Sequence, residues 1–311
     1  MLALSVRVRR FQNADEEACI KLLNESHKDT AGHEPVTRYD FEGYKKTSID
    51  LLIAESDDKP VGFATIRWSW SPAEIRQLAI LAPYVETGVV PVLINEAVKR
   101  LENMGAKVIE VMAYSPRYHG LLERCGFTPA RKHLYIIWDL TKPLPARPTN
   151  REVVIKPASS SDAAIFAKLY VEAYKDYWGW AFGEDLDKIV KMANAAFLKL
   201  CDTRRAQPSL AYLKDEPVGL VCPYIDDEWV QSHRMKRARL TFGVGVLPKH
   251  RRKHIGTTLL LNGLRWLREH EMKQAYVTTF TNLDGDTPAV KLYLGTEGKI
   301  LKQYTAFELR K

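Results

Sequence analysis

The stretch from Leu240 to Leu260 reads LTFGVGVLPKHRRKHIGTTLL, an apolar run that passes through a basic loop straight into a second apolar, helically spaced segment. A strand that enters a helix in this way leaves the first helical amides without intrahelical partners, and the helix dipole adds partial positive charge at the same place. With Arg251, Arg252, Lys253 and His254 just ahead of it, the junction suits a phosphate or pyrophosphate. Gly256 lets backbone approach a ligand closely, and Thr257 and Thr258 add hydroxyl donors. The GxxxxGK[ST] spacing of a P-loop and the GxGxxG of a dinucleotide site are both absent. The plain alternative is a basic loop that happens to precede a core helix.

In this order Val246, Pro248, Arg251, Gly256 and Thr257 resemble the acetyl-CoA loop of the GNAT (GCN5-related N-acetyltransferase) superfamily, summarised as Q/R-x-x-G-x-G/A. Arg251 takes the first place and Gly256 the last, while His254 stands where the middle glycine is usual. The resemblance implies that Arg251 and the amides of Arg252, Lys253, His254, Ile255, Gly256 and Thr257 hold the pyrophosphate of acetyl-CoA or another acyl-CoA. It also implies that Val244, Gly245 and Val246 pair with pantetheine like an added strand.

Further on, NLDGDTPAVKLY from Asn282 to Tyr293 resembles the family segment N-x-x-A-x-x-L-Y, with Asp286 where Asn is usual. By that resemblance Asp286 belongs to the cofactor site and Tyr293 is the general acid that returns a proton to the departing thiolate, which a phenol can do because it is protonated at neutral pH. The alternative is a tyrosine packed at a helix end. The family's Gly-Phe after this Tyr is missing, since Leu294-Gly295-Thr296-Glu297-Gly298-Lys299 follows, which predicts a reshaped last hairpin.

The acceptor side is written less clearly. Tyr170, Tyr174, Tyr177, Trp178, Trp180 and Phe182, followed by Glu184, Asp185 and Asp187, form an aromatic and acidic stretch that suits a cationic amine, with Tyr177, Trp178, Trp180 and Glu184 as substrate candidates. The same aromatics would equally fill an interface between domains. A base is needed only if the amine arrives protonated, and Glu184 and Asp226 are candidates, although Asp226-Asp227-Glu228 reads better as a solvated turn.

These residues must be positioned by elements that the chain writes twice. Val6–Arg9, an Asn13-Ala14-Asp15 entry and a helix carrying Ile20, Leu22 and Leu23 return as Val153–Lys156, Ser160-Ser161-Asp162 and a helix carrying Ile165, Phe166 and Leu169. The hairpin of Leu51–Ala54, a Ser56–Pro60 turn and Val61–Ile66 returns as Leu210–Leu213, Lys214–Pro217 and Val218–Val221. A strand, helix and strand over 75–81, 89–104 and 108–113 return over 240–246, 256–269 and 275–280. Between the copies, TKPLPARPTN carries three prolines and cannot continue helix or sheet. The expected organisation is therefore a first domain over 1–142, a Pro-rich linker over 143–151 and a second domain over 152–311. A repeat this long is the duplication of one α/β unit, not a solenoid.

The first copy also resembles the family in Tyr118–Phe127, YHGLLERCGF, but its loop PYVETGVV over 83–90 has no Arg. It is expected to be a degenerate copy with a structural or substrate-shaping role. Tandem pairs of one working and one degenerate copy make the arrangement similar to mycothiol synthase and related transferases. The resemblance thus implies an α/β (α+β) fold of two tandem GNAT domains, each a mixed, mostly antiparallel sheet flanked by helices. It implies an acetyl-CoA-dependent N-acetyltransferase acting on an amine of a small molecule or peptide; the alternative is a non-catalytic CoA-binding regulatory module.

Composition narrows the rest. At 311 residues with 46% hydrophobic and 27% charged residues, the chain has the balance of packed globular domains. No apolar run is long enough to span a membrane and the N-terminus does not read as a secretory signal, so a cytoplasmic protein without membrane contact is expected. Cys19, Cys125, Cys201 and Cys222 show no CxxC pair or zinc spacing, so neither metal nor disulfide is expected. The net charge of +8 is the main argument for nucleic acid, and without a reader motif that partner is not expected. The oligomeric state is not readable from the sequence.

Overall fold

The computed structural model describes residues 5–68, 72–175, 186–285 and 287–311. The chain divides into two compact units, one of Met1–Leu134, Phe280–Gly285 and Lys302–Lys311, the other of Tyr135–Thr279 and Asp286–Leu301. Each unit therefore includes a segment from the other half of the sequence.

In the first unit, β1 (Val6–Arg10), β2 (Asp50–Ser56), β3 (Lys59–Arg67), β4 (Ala73–Ile80) and β5 (Val108–Ala113) are followed by the start of β6 (Thr128–Asp139). The strand order is β1-β2-β3-β4-β5, then the second part of β12 (Lys299–Arg310), then β6. The β1–β2, β2–β3, β3–β4 and β5–β12 pairs are antiparallel. β4 and β5 run parallel, over Ala73–Ile75 and Ile109–Val111. The period-two alternation of these strands sorts two cores. Ile109, Val111, Ala113 and Phe307 pack with Leu93, Ile94 and Leu101 of the helix Val90–Asn103. On the other face, Ile53 and Phe63 pack with Leu22 and Leu23 of the helix Glu16–His27 and Phe41 of the helix Arg38–Thr47.

The second unit repeats this plan with β7 (Val153–Pro157), β8 (Ser209–Leu213), β9 (Glu216–Tyr224), β10 (Arg237–Val246) and β11 (Gln274–Thr281), in the order β6-β11-β10-β9-β8-β7. The helix Ile255–Glu269 buries Leu259, Leu260, Leu264 and Leu267, the face its periodicity predicts. On the opposite side Phe166 and Leu169 of Ala163–Ala173 and Phe197 of Leu186–Cys201 pack on Leu210, Leu220 and Cys222. Among the described residues, the helices Arg38–Thr47, opened by a Thr37–Asp40 capping box, Leu186–Cys201 and Asp227–His233 go beyond the sequence reading. In the last of these Asp226 is the N-cap, accepting from the Trp229 amide, where a solvated turn was expected. All four cysteines are free, and Cys19 and Cys222 are buried.

Candidate active site

The site begins with a defect in β10. Its antiparallel register with β9 shifts between Thr241 and Val244, because Phe242 and Gly243 both take a positive φ of 64°. A bulge of this kind bends its strand and breaks the ladder locally. Accordingly β10 and β11 pair in parallel only over Arg237–Arg239 and Gln274–Tyr276, although β10 continues to Val246. The Leu247 amide donates to the Val218 carbonyl on β9 at 2.9 Å. By alternation, the backbone polar groups of Val244 and Val246 point the other way, into the gap beside β10.

Two tyrosines hold the bulge. The Tyr174 hydroxyl, at the end of helix Ala163–Ala173, donates to the Phe242 carbonyl at 2.8 Å. The Val244 amide donates to the Tyr293 hydroxyl at 3.2 Å, from the helix Pro288–Gly295. Tyr293 is buried, with Trp138 edge-on to its ring at a centre distance of 5.6 Å. Burial pushes its phenol up to about 12, an effect that the hydrogen bond from Val244 partly opposes. A phenol that accepts a backbone hydrogen bond keeps its own proton available to donate.

The helix holding Tyr293 closes in a way the sequence disguises. The Gly298 amide returns to the Tyr293 carbonyl at 3.0 Å, as the Phe127 amide returns to that of Leu122 at 3.1 Å. By these matching bonds Glu297, at φ 65°, does the work of Gly126, at φ 87°. Gly298 replaces the aromatic because a Cβ there would meet the Tyr293 carbonyl at 2.6 Å and Ile136 and Trp138 at 2.8 and 2.9 Å. The same alignment puts Leu122 in the place of Tyr293, so the first unit has no phenol at that position.

Beyond Val246, the basic loop enters the helix Ile255–Glu269 through His254, an N-cap with φ 56° whose side chain makes no capping bond. In the first unit, counting from the corresponding bonds Leu81 to Val61 and Leu247 to Val218, this position is Gly88, at φ 92°. Histidine thus occupies a left-handed site, at a cost on the order of 1 kcal/mol. The first helical amides, of Ile255, Gly256 and Thr257, have no side-chain cap from His254, and Arg252, Lys253 and His254 are exposed around them. Arg251 turns inward: its Nη2 donates to the Ala173 carbonyl at 2.9 Å and its Nε to the Val246 carbonyl at 3.3 Å, which ties the loop to the end of β10. Thr258 donates to the His254 carbonyl and accepts from the Asn150 amide, whose side chain donates to the Lys253 carbonyl at 2.9 Å. A residue of the proline-rich stretch therefore braces the loop, and the Thr258 hydroxyl is engaged within the protein.

In the first unit the corresponding slot is filled from inside. Ile80, the counterpart of Val246, donates its amide to Ser26 Oγ at 3.0 Å and to the Tyr118 hydroxyl at 3.1 Å, while its carbonyl accepts from Ser26 Oγ at 2.9 Å. Arg117 Nη2 closes the cluster with bonds to Ser26 Oγ at 2.9 Å and Tyr118 at 3.0 Å. Val85 and Glu86 stand where the second unit has Arg251 and Arg252.

The geometry thus brings together Val244, Gly245, Val246, the loop from Arg251 to Thr257, and Tyr293. Tyr177, Trp178, Trp180, Glu184 and Asp286 lie outside the described residues. The parts that sequence reasoning missed are the Tyr174 bond to the bulge, the Asn150 brace and the closing role of Gly298. Asn150 had a sequence signal, as an Asn at the end of a segment that must lead into β7, and Tyr174 had one as part of the aromatic stretch, although its hydroxyl is used on the Phe242 carbonyl. Among the described residues no group of His, Cys, Asp or Glu is arranged to hold a metal ion, and no helix is long and apolar enough to cross a membrane.

Comparison with known proteins gives a consistent picture. A family model described as the acetyltransferase (GNAT) family matches residues 16–127 and 167–295. A GCN5-related N-acetyltransferase from Sphaerobacter thermophilus superposes with a TM-score of 0.79 at 14% identity, covering 98% of this chain and 95% of its own. A tandem GNAT protein from the clavulanic acid biosynthesis pathway superposes with a TM-score of 0.70 at 13% identity, covering 98% of each chain. At these identities the likeness is one of fold. No curated protein sequence matches the chain.

Proposed function

The chain belongs to the acetyltransferase (GNAT) family, and from that premise we propose that its second unit is an acyl-CoA-dependent N-acetyltransferase and its first a degenerate copy. The observation that carries this reading is the Val244 amide bonded to the Tyr293 hydroxyl at the mouth of a backbone gap that leads to an uncapped, basic helix N-terminus. The donor set fits an acyl-CoA: amides over 252–257 with Arg252 and Lys253 for the pyrophosphate, and the inward-facing groups of Val244 and Val246 for the amide-rich pantetheine arm. When bound, the acyl-CoA supplies an activated thioester carbonyl. When that carbonyl is seated, the Val244 amide exchanges its bond to Tyr293 for one to the carbonyl oxygen, stabilising negative charge there. The acceptor amine forms the new C–N bond as C–S breaks; the sulfur takes the Tyr293 proton, and the amine loses one to solvent.

Arg251 is better left in place when the site is tested, because its bonds to Val246 and Ala173 shape the loop. The test is calorimetric titration of acetyl-CoA into wild type and an Arg252→Ala, Lys253→Ala double variant, followed by assay of CoA release with a panel of amines. Binding lost in the variant together with amine-dependent CoA release supports the proposal. Binding without consumption of any acyl-CoA would leave a regulatory CoA-binding module, and no binding to wild type would remove the foundation of both.

A further inference from the structure

Where the gap beside β10 opens, three adjacent strands present one row of side chains. Arg239 lies opposite Tyr224 of β9 in antiparallel register and beside Tyr276 of β11 in parallel register. Its guanidinium sits over the Tyr224 ring, 4.9 Å from the centre. Tyr135 of β6 extends the row by stacking on Tyr276, with ring centres 4.5 Å apart and planes 13° from parallel. The row belongs to the face covered elsewhere by the helices Ala163–Ala173 and Leu186–Cys201. Tyr224 alternates in phase with Leu220 and Cys222 of that core, whereas the neighbours of Arg239, Ala238 and Leu240, are buried on the opposite side.

Arg239 is exposed although its strand is paired on both sides, so the sheet face is open above it. Three of the charged residues near it are already committed. Arg237 gives Nε and Nη2 to Gln274 Oε1 at 2.8 and 2.7 Å, Asp227 is paired with Arg205 at 2.6 Å, and Asp226 caps the Trp229 amide. Among the described residues Arg239 itself has a ring beneath it and no carboxylate partner. A guanidinium seated on an aromatic face keeps its outward N–H groups in a fixed fork, the geometry that carboxylates and phosphates accept.

We propose that this row binds the acceptor, and that the acceptor carries an anionic group, a carboxylate or phosphate, which Arg239 pairs with while the amine reaches the bulge. The inference rests on the acyl-transfer reading above. Three residue steps of strand lead from Arg239 to Phe242, roughly 10 Å at 3.3 Å per residue. That span favours an acceptor with several bonds between amine and anion over an amino acid reacting at its α-amine. The stacked pair of Tyr135 and Tyr276 offers a flat apolar wall to the segment between.

The test compares matched acceptors in the full chain: 6-aminohexanoate against its amide, and 6-aminohexyl phosphate against 6-aminohexan-1-ol. The wild type is expected to prefer one anionic member by roughly ten- to a hundredfold in kcat/KM, the range of a charge-assisted hydrogen bond, and Arg239→Gln to bring that ratio toward one. Which arm responds tells carboxylate from phosphate. Acetyl-CoA affinity reports that the variant is folded. If no amine is acetylated by wild type, calorimetry of the anionic amines with the CoA-loaded protein still reads the row: binding that Arg239→Gln abolishes keeps the anion site while the transfer reaction fails. Equal use or equal binding of charged and neutral members, or a ratio that Arg239→Gln leaves unchanged, overturns the proposal.

Discussion

The hydroxyls of Tyr174 and Tyr293 converge on Gly243, where a Cβ would lie 2.8 Å from the first and 3.1 Å from the second. One tyrosine donates to the carbonyl on one side of this glycine and the other accepts from the amide on the other side, so the bulge is clamped at both ends. Gly243→Ala adds a methyl group between them at φ 64°, a conformation that resists a side chain. The expected outcome is a protein destabilised by about 1–2 kcal/mol with reduced turnover, read by thermal unfolding and CoA release. Tyr174→Phe, which removes one bond and leaves the space, is expected to cost about 1 kcal/mol.

Tyr293→Phe keeps the ring against Trp138 and removes only the proton. Turnover is expected to fall roughly a hundredfold, within the range for general acid catalysis, with acetyl-CoA affinity nearly unchanged. Steady-state kinetics and calorimetry on the same preparation separate the two, and an unaltered kcat takes Tyr293 out of the mechanism.

The pH dependence of that step has a definite sign. Burial raises the Tyr293 phenol from its ordinary 10.0 to about 12, so the proton-donating form persists to higher pH than that of a free tyrosine. Loss of the acid is then expected above pH 11, and a kcat that declines with a midpoint near 10 contradicts the buried setting. Stability follows the same sense: the unfolded chain ionises first, so the contribution is present below pH 10 and is lost as pH rises toward 12.

Acid acts on the first unit through His27. Burial, with His33 and Arg117 nearby, depresses its imidazole from 6.5 to about 4, and both ring nitrogens lack a hydrogen-bond partner. The unfolded chain takes up a proton near pH 6.5 while the folded one does not, so stability is held above that value and falls as pH drops toward 4. A His27→Gln variant is expected to show a flatter melting temperature over that interval than wild type.

Only one acyl-CoA per chain is expected, because Ser26, Tyr118 and Arg117 occupy the Ile80 backbone groups of the first unit. Calorimetric stoichiometry near one checks this. A value near two, or one that Arg252→Ala with Lys253→Ala fails to reduce, removes the assignment of the slot to the second unit.

Left-handed backbone at His254 gives a further check. His254→Gly restores the residue type that position 88 holds in the first copy and is expected to preserve acetyl-CoA binding. A β-branched residue there is expected to weaken it, since φ 56° is poorly tolerated by Val or Ile. Equal binding by both variants would show that the loop does not depend on this conformation.

The sequence by itself determined the two copies of strand, helix and hairpin, because alternation of period two and near four is a local property of the chain; the family, and the mixed, mostly antiparallel sheets it implies, came from the resemblance carried by the Arg251 to Thr257 and Asn282 to Tyr293 segments. It also determined that a basic loop enters a helix in the second copy and an acidic one in the first. Tertiary structure decided the rest. That Arg251 turns inward to Val246 and Ala173 while Arg252 and Lys253 stay outside depends on where the end of another helix lies. The filling of the first unit's slot joins Ser26, Ile80 and Tyr118, residues 54 and 92 positions apart along the chain. No local pattern encodes such a meeting, and neither does the row of Tyr224, Arg239, Tyr276 and Tyr135, since register between strands is set by the bulge and the packing of whole faces.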